Sequence, residues 1–167
     1  MKLPYRPIII IPKTKLEKVA DWVGISLFLA AIFYIIIMWG NIPNEVPGHF
    51  NSKGEVDRWG TKFEILILPG IGAFLFVLLS LLEKAPHMHN YPKRINESNV
   101  EQFYLASRKM LNMIKNICLL LFALLTIQIV RVSLGEINTL GVWFLPIILI
   151  IIFVTITFGI IKQSKIK

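Results

Sequence analysis

The chain has 167 residues, 55% of them apolar, with a mean hydropathy of +0.66 and a net charge of +8 at pH 7. Such a chain has too little polar surface to cover a water-facing exterior. The composition therefore excludes an ordinary soluble globular protein and indicates a single integral membrane domain.

Four mostly apolar runs are each long enough to cross about 30 Å of hydrocarbon as a helix. They cover residues 22–39, 63–82, 116–134 and 142–161. We therefore expect an all-α integral membrane protein with four transmembrane helices.

Residues 1–21 form a basic segment whose apolar run, residues 8–11, lies between Pro7 and Pro12. This run is short and no small-residue cleavage site follows it, so the segment does not have the features of a secretory signal peptide. We interpret it as a basic N-terminal tail in the cytoplasm, lying on anionic lipid.

Residues 40–61 connect the first two spans and include most of the polar stretch "HFNSKGEVDRWGTK", which begins at His49. Prolines and glycines favour turns over a long helix here, and Gly54 and Gly60 permit left-handed backbone. The loop is predicted to fold as a compact Ω-like or short hairpin structure on the membrane face.

Residues 83–115 form the second connection. Apolar residues at spacings near three and four predict an amphipathic helix that runs along the interface, then turns into or continues as the third span. Lys115, at the inner end of that span, is expected to extend its ammonium group to the interface. A second transmembrane hairpin, residues 116–161, and a basic tail, residues 162–167, complete the chain.

The basic residues are distributed unevenly. Fourteen of the 18 Lys and Arg lie in the N-terminal segment, the second connection and the C-terminal segment. The positive-inside rule then places both termini and residues 83–115 in the cytoplasm and the loop 40–61 outside. This asymmetry accounts for the positive charge, so the bilayer is the expected partner and nucleic acid is not. A homo-oligomer remains open.

The first loop carries most of the candidate chemistry. His49, Asn51, Glu55 and Asp57 offer nitrogen and oxygen ligands, but zinc sites usually have more His or Cys. We predict no metal, no cofactor and no catalytic residue, and interpret the chain as a non-enzyme. The alternative is a membrane-embedded enzyme or a transporter that uses His49 and Asp57.

Two charged residues lie near the outer edge of the hydrocarbon, Glu64 at the start of the second span and Arg131 near the end of the third. A charge at such a depth needs a partner. We therefore predict an ion pair between Glu64 and Arg131.

Residues 42–62, "IPNEVPGHFNSKGEVDRWGTK", resemble the signature of a bacterial membrane domain of unknown function that also forms the N-terminal part of SdpI-type immunity proteins. The resemblance extends over residues 22–82, an SdpI-like hairpin of two spans and the loop 40–61. The whole chain is similar to a short stand-alone member. The fold-setting or ligand-binding positions that the resemblance marks are His49, Phe50, Asn51, Gly54, Asp57, Trp59, Gly60 and Lys62.

The resemblance implies a multi-pass protein of the bacterial cell (inner) membrane, with either no assigned role or immunity to a secreted, membrane-active toxin peptide. Some SdpI-type proteins also sequester a repressor, which the shortened second half makes unexpected here. The expected partner of the outer loop is thus a toxin peptide or another envelope ligand. A structural role is the compatible alternative, with Asn51 and Asp57 setting turns while Phe50 and Trp59 anchor in the headgroup region.

Overall fold

The structure is a computed structural model that describes residues 6–167. Its elements are helix α1 (Lys15–Met38), strands β1 (Glu45–Phe50) and β2 (Val56–Thr61), and helices α2 (Ile67–Lys84), α3 (Val100–Ser133) and α4 (Phe144–Ser164). Short 3-10 helices, Lys62–Leu66 and Pro86–Met88, flank α2. We call the end that carries β1 and β2 the hairpin end. The opposite end, with residue 6, residues 85–99 and residue 167, is the terminal end.

All four α-helices are long and apolar enough to span a membrane. The prediction of four helices with the length and hydropathy that a membrane span requires is thus confirmed. The chain is not purely helical, however, since β1 and β2 pair as an antiparallel two-stranded sheet between α1 and α2.

Helix α1 begins seven residues before the predicted span. Thr14 and Glu17 form a capping box, in which each side chain accepts a hydrogen bond from the other residue's backbone N–H. This arrangement satisfies amide groups that would otherwise be unpaired at a helix start. Residues 15–21 of the predicted tail are therefore already helical and continuous with the first span.

Helix α3 is the centre of the bundle. It packs along α1, α2 and α4, whereas α4 packs extensively only against α3 among the described elements. Three buried apolar clusters follow α3 from one end to the other, and α3 contributes to each. Its contributions are Val100, Phe103 and Tyr104 at the terminal end, Leu119 and Ala123 in the middle, and Ile129 and Val130 beneath the hairpin.

Helix α3 is also continuous from Val100 to Ser133, so the predicted boundary at residues 115 and 116 is not an element boundary. Of the two alternatives, the amphipathic stretch continues as the third span. Its face is buried in protein, with Phe103 and Tyr104 fully covered and packed near Ile9 and Ile11. Within residues 6–167, this stretch is therefore the first part of α3 rather than a separate helix, and residues before α1 cover its apolar face.

Candidate functional site at the hairpin end

Asn51 organises the turn between β1 and β2. Its side-chain oxygen accepts hydrogen bonds from the amides of Lys53 and Glu55 at 2.8 and 3.1 Å. Its side-chain nitrogen donates to the Glu55 carboxylate at 2.9 Å. The Asn51 side chain thus forms hydrogen bonds both to backbone amides and to a carboxylate of the turn, so an Asn is well suited to this position.

The tip of the hairpin docks on the connection between α3 and α4. The Gly54 carbonyl accepts a hydrogen bond from the Leu140 amide at 2.9 Å, and Glu55 forms an isolated bridge with Thr139. Gly54 has a φ of 78°, and a Cβ there would lie 3.0 Å from the Gly141 carbonyl oxygen. A glycine therefore serves both the turn and the close approach of the two loops.

Arg58 fastens the base of the hairpin. Its guanidinium donates to the Gly48 carbonyl at 2.7 Å and to the Glu64 carboxylate at 2.9 Å. A Cβ at Gly48 would lie 2.6 Å from this guanidinium, and a Cβ at Gly60 would meet the Glu64 carboxylate. The two glycines leave the space that this ion pair occupies.

Lys62 joins the start of the second span to the end of the first. Its ammonium group donates to the carbonyls of Trp39 and Ile42 and lies 4.7 Å from the centroid of the Trp39 ring. Carbonyls at a helix C-terminus lack partners within the helix, and a cation is favoured there. Lys62 is therefore a fold-setting residue that closes the loop.

The predicted ion pair between Glu64 and Arg131 is wrong. Glu64 pairs with Arg58, whereas Arg131 bonds to Glu136 at 3.2 Å and to Gln128 at 3.1 Å. Each charge finds a partner close by in sequence, because the hairpin folds back over Glu64 and the helix end brings Glu136 to Arg131. The prediction relied on the similar depth of Glu64 and Arg131 in the membrane, and depth alone does not determine which residues form an ion pair.

A cavity of about 350 Å³ lies beneath the hairpin, between α2, α3 and α4. We call it the hairpin-end cavity. Its size falls within the roughly 300–1,000 Å³ typical of ligand pockets. Its walls are apolar and include Leu68, Leu121, Leu125, Ile129, Phe144 and Leu145. Polar groups lie on the hairpin side, where they are supplied by His49, Asn51, Ser52, Arg58 and Glu64.

His49 pairs with Asp57 across the hairpin, with Nδ1 and a carboxylate oxygen 2.6 Å apart. Both side chains are open to solvent, at 65% and 43% exposure. Exposed pairs of this kind contribute only about 0–1 kcal/mol to stability. The pair therefore adds little to the fold, and the second nitrogen of the His49 ring has no hydrogen-bond partner within residues 6–167.

Seven of the eight predicted site residues lie on the hairpin, and the eighth, Lys62, begins the short 3-10 helix that follows it. His49, Phe50, Asn51 and Gly54 line the hairpin-end cavity, and Asp57 orients His49 from outside it. The other three do not line it. Trp59 is exposed, while Gly60 and Lys62 serve the base of the hairpin.

A second polar site, at the terminal end, was not predicted. The Lys115 ammonium lies 2.8 Å from both the Asp21 and the Glu83 carboxylates, and Lys13 lies 2.6 Å and 2.5 Å from the same two groups. We call these four residues the terminal-end ion cluster. Lys115 is only 1% exposed, so the expectation that it extends to the interface is wrong. The buried Glu83 carboxylate and the partly buried Asp21 carboxylate hold it inside instead.

Two asparagines of α3 complete the cluster. Asn112 donates to Asp21 at 2.8 Å and to Glu83 at 3.2 Å, and Asn116 donates to Asp21 at 2.9 Å. A buried charge is tolerated only when it is paired and hydrogen-bonded. The terminal-end ion cluster therefore joins α1, α2 and α3 through a polar network with two cations and two anions.

Glu17 and Arg108 form a further buried pair nearby. The guanidinium donates to both carboxylate oxygens at 3.0 Å, in the bidentate geometry that arginine favours. Glu17 has a recognisable signal in the sequence, the Thr14 capping box. The terminal-end ion cluster has none, because its members come from separate segments that only the fold brings together.

Lys13 lies just before α1, outside the spans. Burial lowers the pKa of its ammonium group, but the hydrogen bonds to Asp21 and Glu83 outweigh this, so its pKa lies above the ordinary 10.5. A raised pKa means that this stabilisation is complete below 10.5 and is lost as the pH rises through the folded-state pKa. Lys13 therefore remains charged in any ordinary cellular compartment.

Within residues 6–167, no group of three or more His, Cys, Asp or Glu is placed to hold an ion. The ring nitrogens of His89, at the terminal end, are hydrogen-bonded to Ser107 at 2.7 Å and to the Leu82 carbonyl at 3.0 Å.

Residues 26–73 match the model of a domain of unknown function, DUF1648. The match covers less than half of the chain and lies within the region 22–82 that carried the resemblance. It includes the end of the first span, the whole hairpin and the beginning of the second span. The comparison supports a domain of unknown function, which here includes parts of two candidate membrane spans, and it gives no support for the link to immunity proteins.

One relative is an uncharacterized protein of Archaeoglobus fulgidus, which is 32% identical over 65 residues. The aligned part is 38% of this chain and 36% of that protein, so the chain spans about a third of the relative's length. That relative is archaeal, and the comparison therefore does not restrict the likeness to bacteria. No solved structure matches the chain.

Proposed function

We propose that this chain is a multi-pass protein of the bacterial cell membrane that binds an amphipathic ligand arriving from outside. A secreted, membrane-active peptide is the ligand class that fits best, in the manner of an SdpI-type immunity protein. The observation that carries the proposal is the hairpin-end cavity. Its apolar walls belong mainly to the spans, and its polar groups, apart from Glu64 at the start of the second span, belong to the loop that the charge asymmetry assigns to the outside.

The charges around this cavity favour a peptide over a simple anion. Arg58 is neutralised by Glu64, and His49 is paired with Asp57, so the cavity presents no uncompensated cation. It offers hydrogen-bonding groups beside a large apolar surface instead. An amphipathic peptide supplies both kinds of contact, because its apolar side chains enter the cavity while its backbone and polar side chains meet the hairpin.

A membrane-embedded enzyme that uses His49 and Asp57 is the second candidate. The observation in its favour is the 2.6 Å contact between the imidazole and the carboxylate, which is the arrangement that orients a general base. Metal analysis of the purified protein tests it, together with hydrolysis assays of His49→Ala. A stoichiometric Zn or Mn would favour this enzyme over the binding protein.

The binding proposal can be tested in nanodiscs with a panel of fluorescently labelled, synthetic membrane-active peptides. Leu145→Trp enlarges a half-exposed side chain of α4 that lines the hairpin-end cavity, and His49→Ala removes its imidazole. We expect at least one peptide to bind the unmodified protein, and both substitutions to weaken that binding about tenfold, or about 1.4 kcal/mol.

Leu149→Trp is the matched control, since Leu149 is similarly exposed one turn further along α4 and does not line this cavity. Cells that express each variant are also challenged with the bound peptide and counted for survival. The proposal fails if no peptide binds, or if Leu145→Trp binds and protects as well as Leu149→Trp does.

A further inference from the structure

A second cavity, of about 390 Å³, opens at the terminal end on another side of α3. It lies between α1 and α4, and we call it the terminal-end groove. Its apolar lining comes from Leu16, Ala20, Ala106, Met110, Met113 and Phe158. This groove shares no lining residue with the hairpin-end cavity.

The shape of the terminal-end groove follows from how α4 is attached. Gly159 packs directly on Met110, where a Cβ would collide with the Met110 side chain. Helix α4 thus approaches α3 closely at this level, while it makes no extended contact with α1. The gap between α1 and α4 is therefore a lateral groove with α3 as its floor.

Positively charged side chains outnumber negatively charged ones in the lining of the terminal-end groove. Lys109 and Lys162 both line it, and neither forms an ion pair in the described part of the chain. The lining carboxylate, Glu17, is already held by both arms of Arg108 at 3.0 Å. Two free ammonium groups therefore remain beside an apolar channel, which differs from the balanced charges of the hairpin-end cavity.

We propose that the terminal-end groove binds one anionic phospholipid. Its phosphate is taken by Lys109 and Lys162, and an acyl chain lies along the apolar lining. Basic pockets between transmembrane helices hold anionic headgroups through this combination of charge and apolar surface. The channel is lined by flexible methionines, which adapt to an irregular chain. This inference does not depend on the proposed peptide ligand, because it concerns other residues at the opposite end.

The test uses the full-length protein, stripped of lipid in detergent and examined by native mass spectrometry. The probes are dioleoyl phosphatidylglycerol, dioleoyl phosphatidylcholine and water-soluble glycerol phosphate. We expect one phosphatidylglycerol to bind at least tenfold more tightly than phosphatidylcholine, and glycerol phosphate not to displace it. The double substitution Lys109→Gln with Lys162→Gln should reduce the preference to less than twofold.

The matched control is Lys84→Gln with Lys93→Gln, which removes two exposed lysines from the same end of the bundle, neither of which has an ion pair within residues 6–167. It should leave the preference within twofold of the unmodified protein. A loss equal to that of the groove double mutant would show a general surface effect and overturn the proposal. Equal binding of the two lipids by the unmodified protein would do the same.

A second variant separates the groove from its charges. Met113 is half exposed and lines the groove, so Met113→Trp fills it while both lysines remain. We expect the tightly held phosphatidylglycerol to be lost, whereas Leu120→Trp, on the same helix but outside the groove, should retain it. Retention in Met113→Trp, or displacement by glycerol phosphate, would contradict a site that holds an acyl chain.

Discussion

Two structural features restrict which residue can occupy position 54. The backbone there has a positive φ, and the backbone of Gly141 lies close to it. An alanine at this position would occupy the left-handed region, at a cost of about 1–2 kcal/mol, and its Cβ would lie 3.0 Å from the Gly141 carbonyl oxygen. We expect Gly54→Ala to lower the free energy of unfolding by at least about 1 kcal/mol, measured by denaturant titration in mixed micelles.

Gly40→Ala is the control for this prediction. No atom lies within 4 Å of a Cβ at Gly40, and its φ is not positive. The control should therefore change the free energy of unfolding by less than about 0.5 kcal/mol. Equal effects of the two substitutions would mean that the contact between the loops contributes nothing.

His89 provides a pH-dependent contact at the terminal end, outside the spans. Burial lowers the pKa of its imidazole below the ordinary 6.5, an effect partly offset by the Leu82 carbonyl, while His87 lowers it further. With this depressed pKa, the unfolded chain takes up the proton first. The stability that neutral His89 provides is therefore present above pH 6.5 and is lost as the pH falls below it.

We expect the melting temperature in detergent to fall between pH 7.5 and pH 5.5, and to fall less in His89→Gln. Glutamine keeps an amide near Ser107 and the Leu82 carbonyl but does not titrate. His87→Gln should retain most of the pH dependence, since it leaves the burial of His89 unchanged and removes only the smaller effect of His87 on the His89 pKa. If all three proteins show the same slope, His89 is not the titrating group.

At the scale of elements, the terminal-end ion cluster holds three helices together. Lys115→Met would leave the Asp21 and Glu83 carboxylates with Lys13 as their remaining cation. Removing one partner of a buried ion pair typically costs about 3–5 kcal/mol, because a charge is left unpaired. We expect a loss of that size in the free energy of unfolding.

Lys84→Met is the corresponding control, because Lys84 is exposed at the end of α2 and has no ion pair among the described residues. Its effect should remain below about 0.5 kcal/mol. A similarly small effect at Lys115 would mean that water replaces the lost cation.

The elements differ in how far they could be predicted. The four spans were predictable, since each needs only a long apolar run. The Thr14 and Glu17 capping box also indicates that α1 starts at Lys15, but the prediction was based on the apolar run, which begins only at Trp22. The ion cluster and the partner of Glu64 were not predictable, because both depend on how the segments fold back on one another. The loop residues were found through a family likeness, which does not separate those that line the cavity from those that hold the hairpin.

At the scale of the whole molecule, the orientation in the membrane rests on the distribution of Lys and Arg. Ser52 is exposed at the hairpin tip, and Cys118 is the single cysteine. In a Cys118→Ala background, we expect Ser52→Cys to react with membrane-impermeant thiol reagents in intact cells. The fraction of the Ser52→Cys protein that is labelled is measured before and after lysis. If Ser52→Cys is labelled only after lysis, the hairpin end faces the cytoplasm, and the proposal of a ligand from outside fails.

The central position of α3 also bears on how a protein acquires this architecture. The stretch that matches the domain of unknown function ends at residue 73, before α3 begins, yet both of its helices pack against α3. Two spans and their hairpin thus lack, on their own, the surface that covers their inner faces. Any polypeptide that carries this stretch is expected to recruit an equivalent third helix, from its own downstream sequence or from a neighbouring subunit.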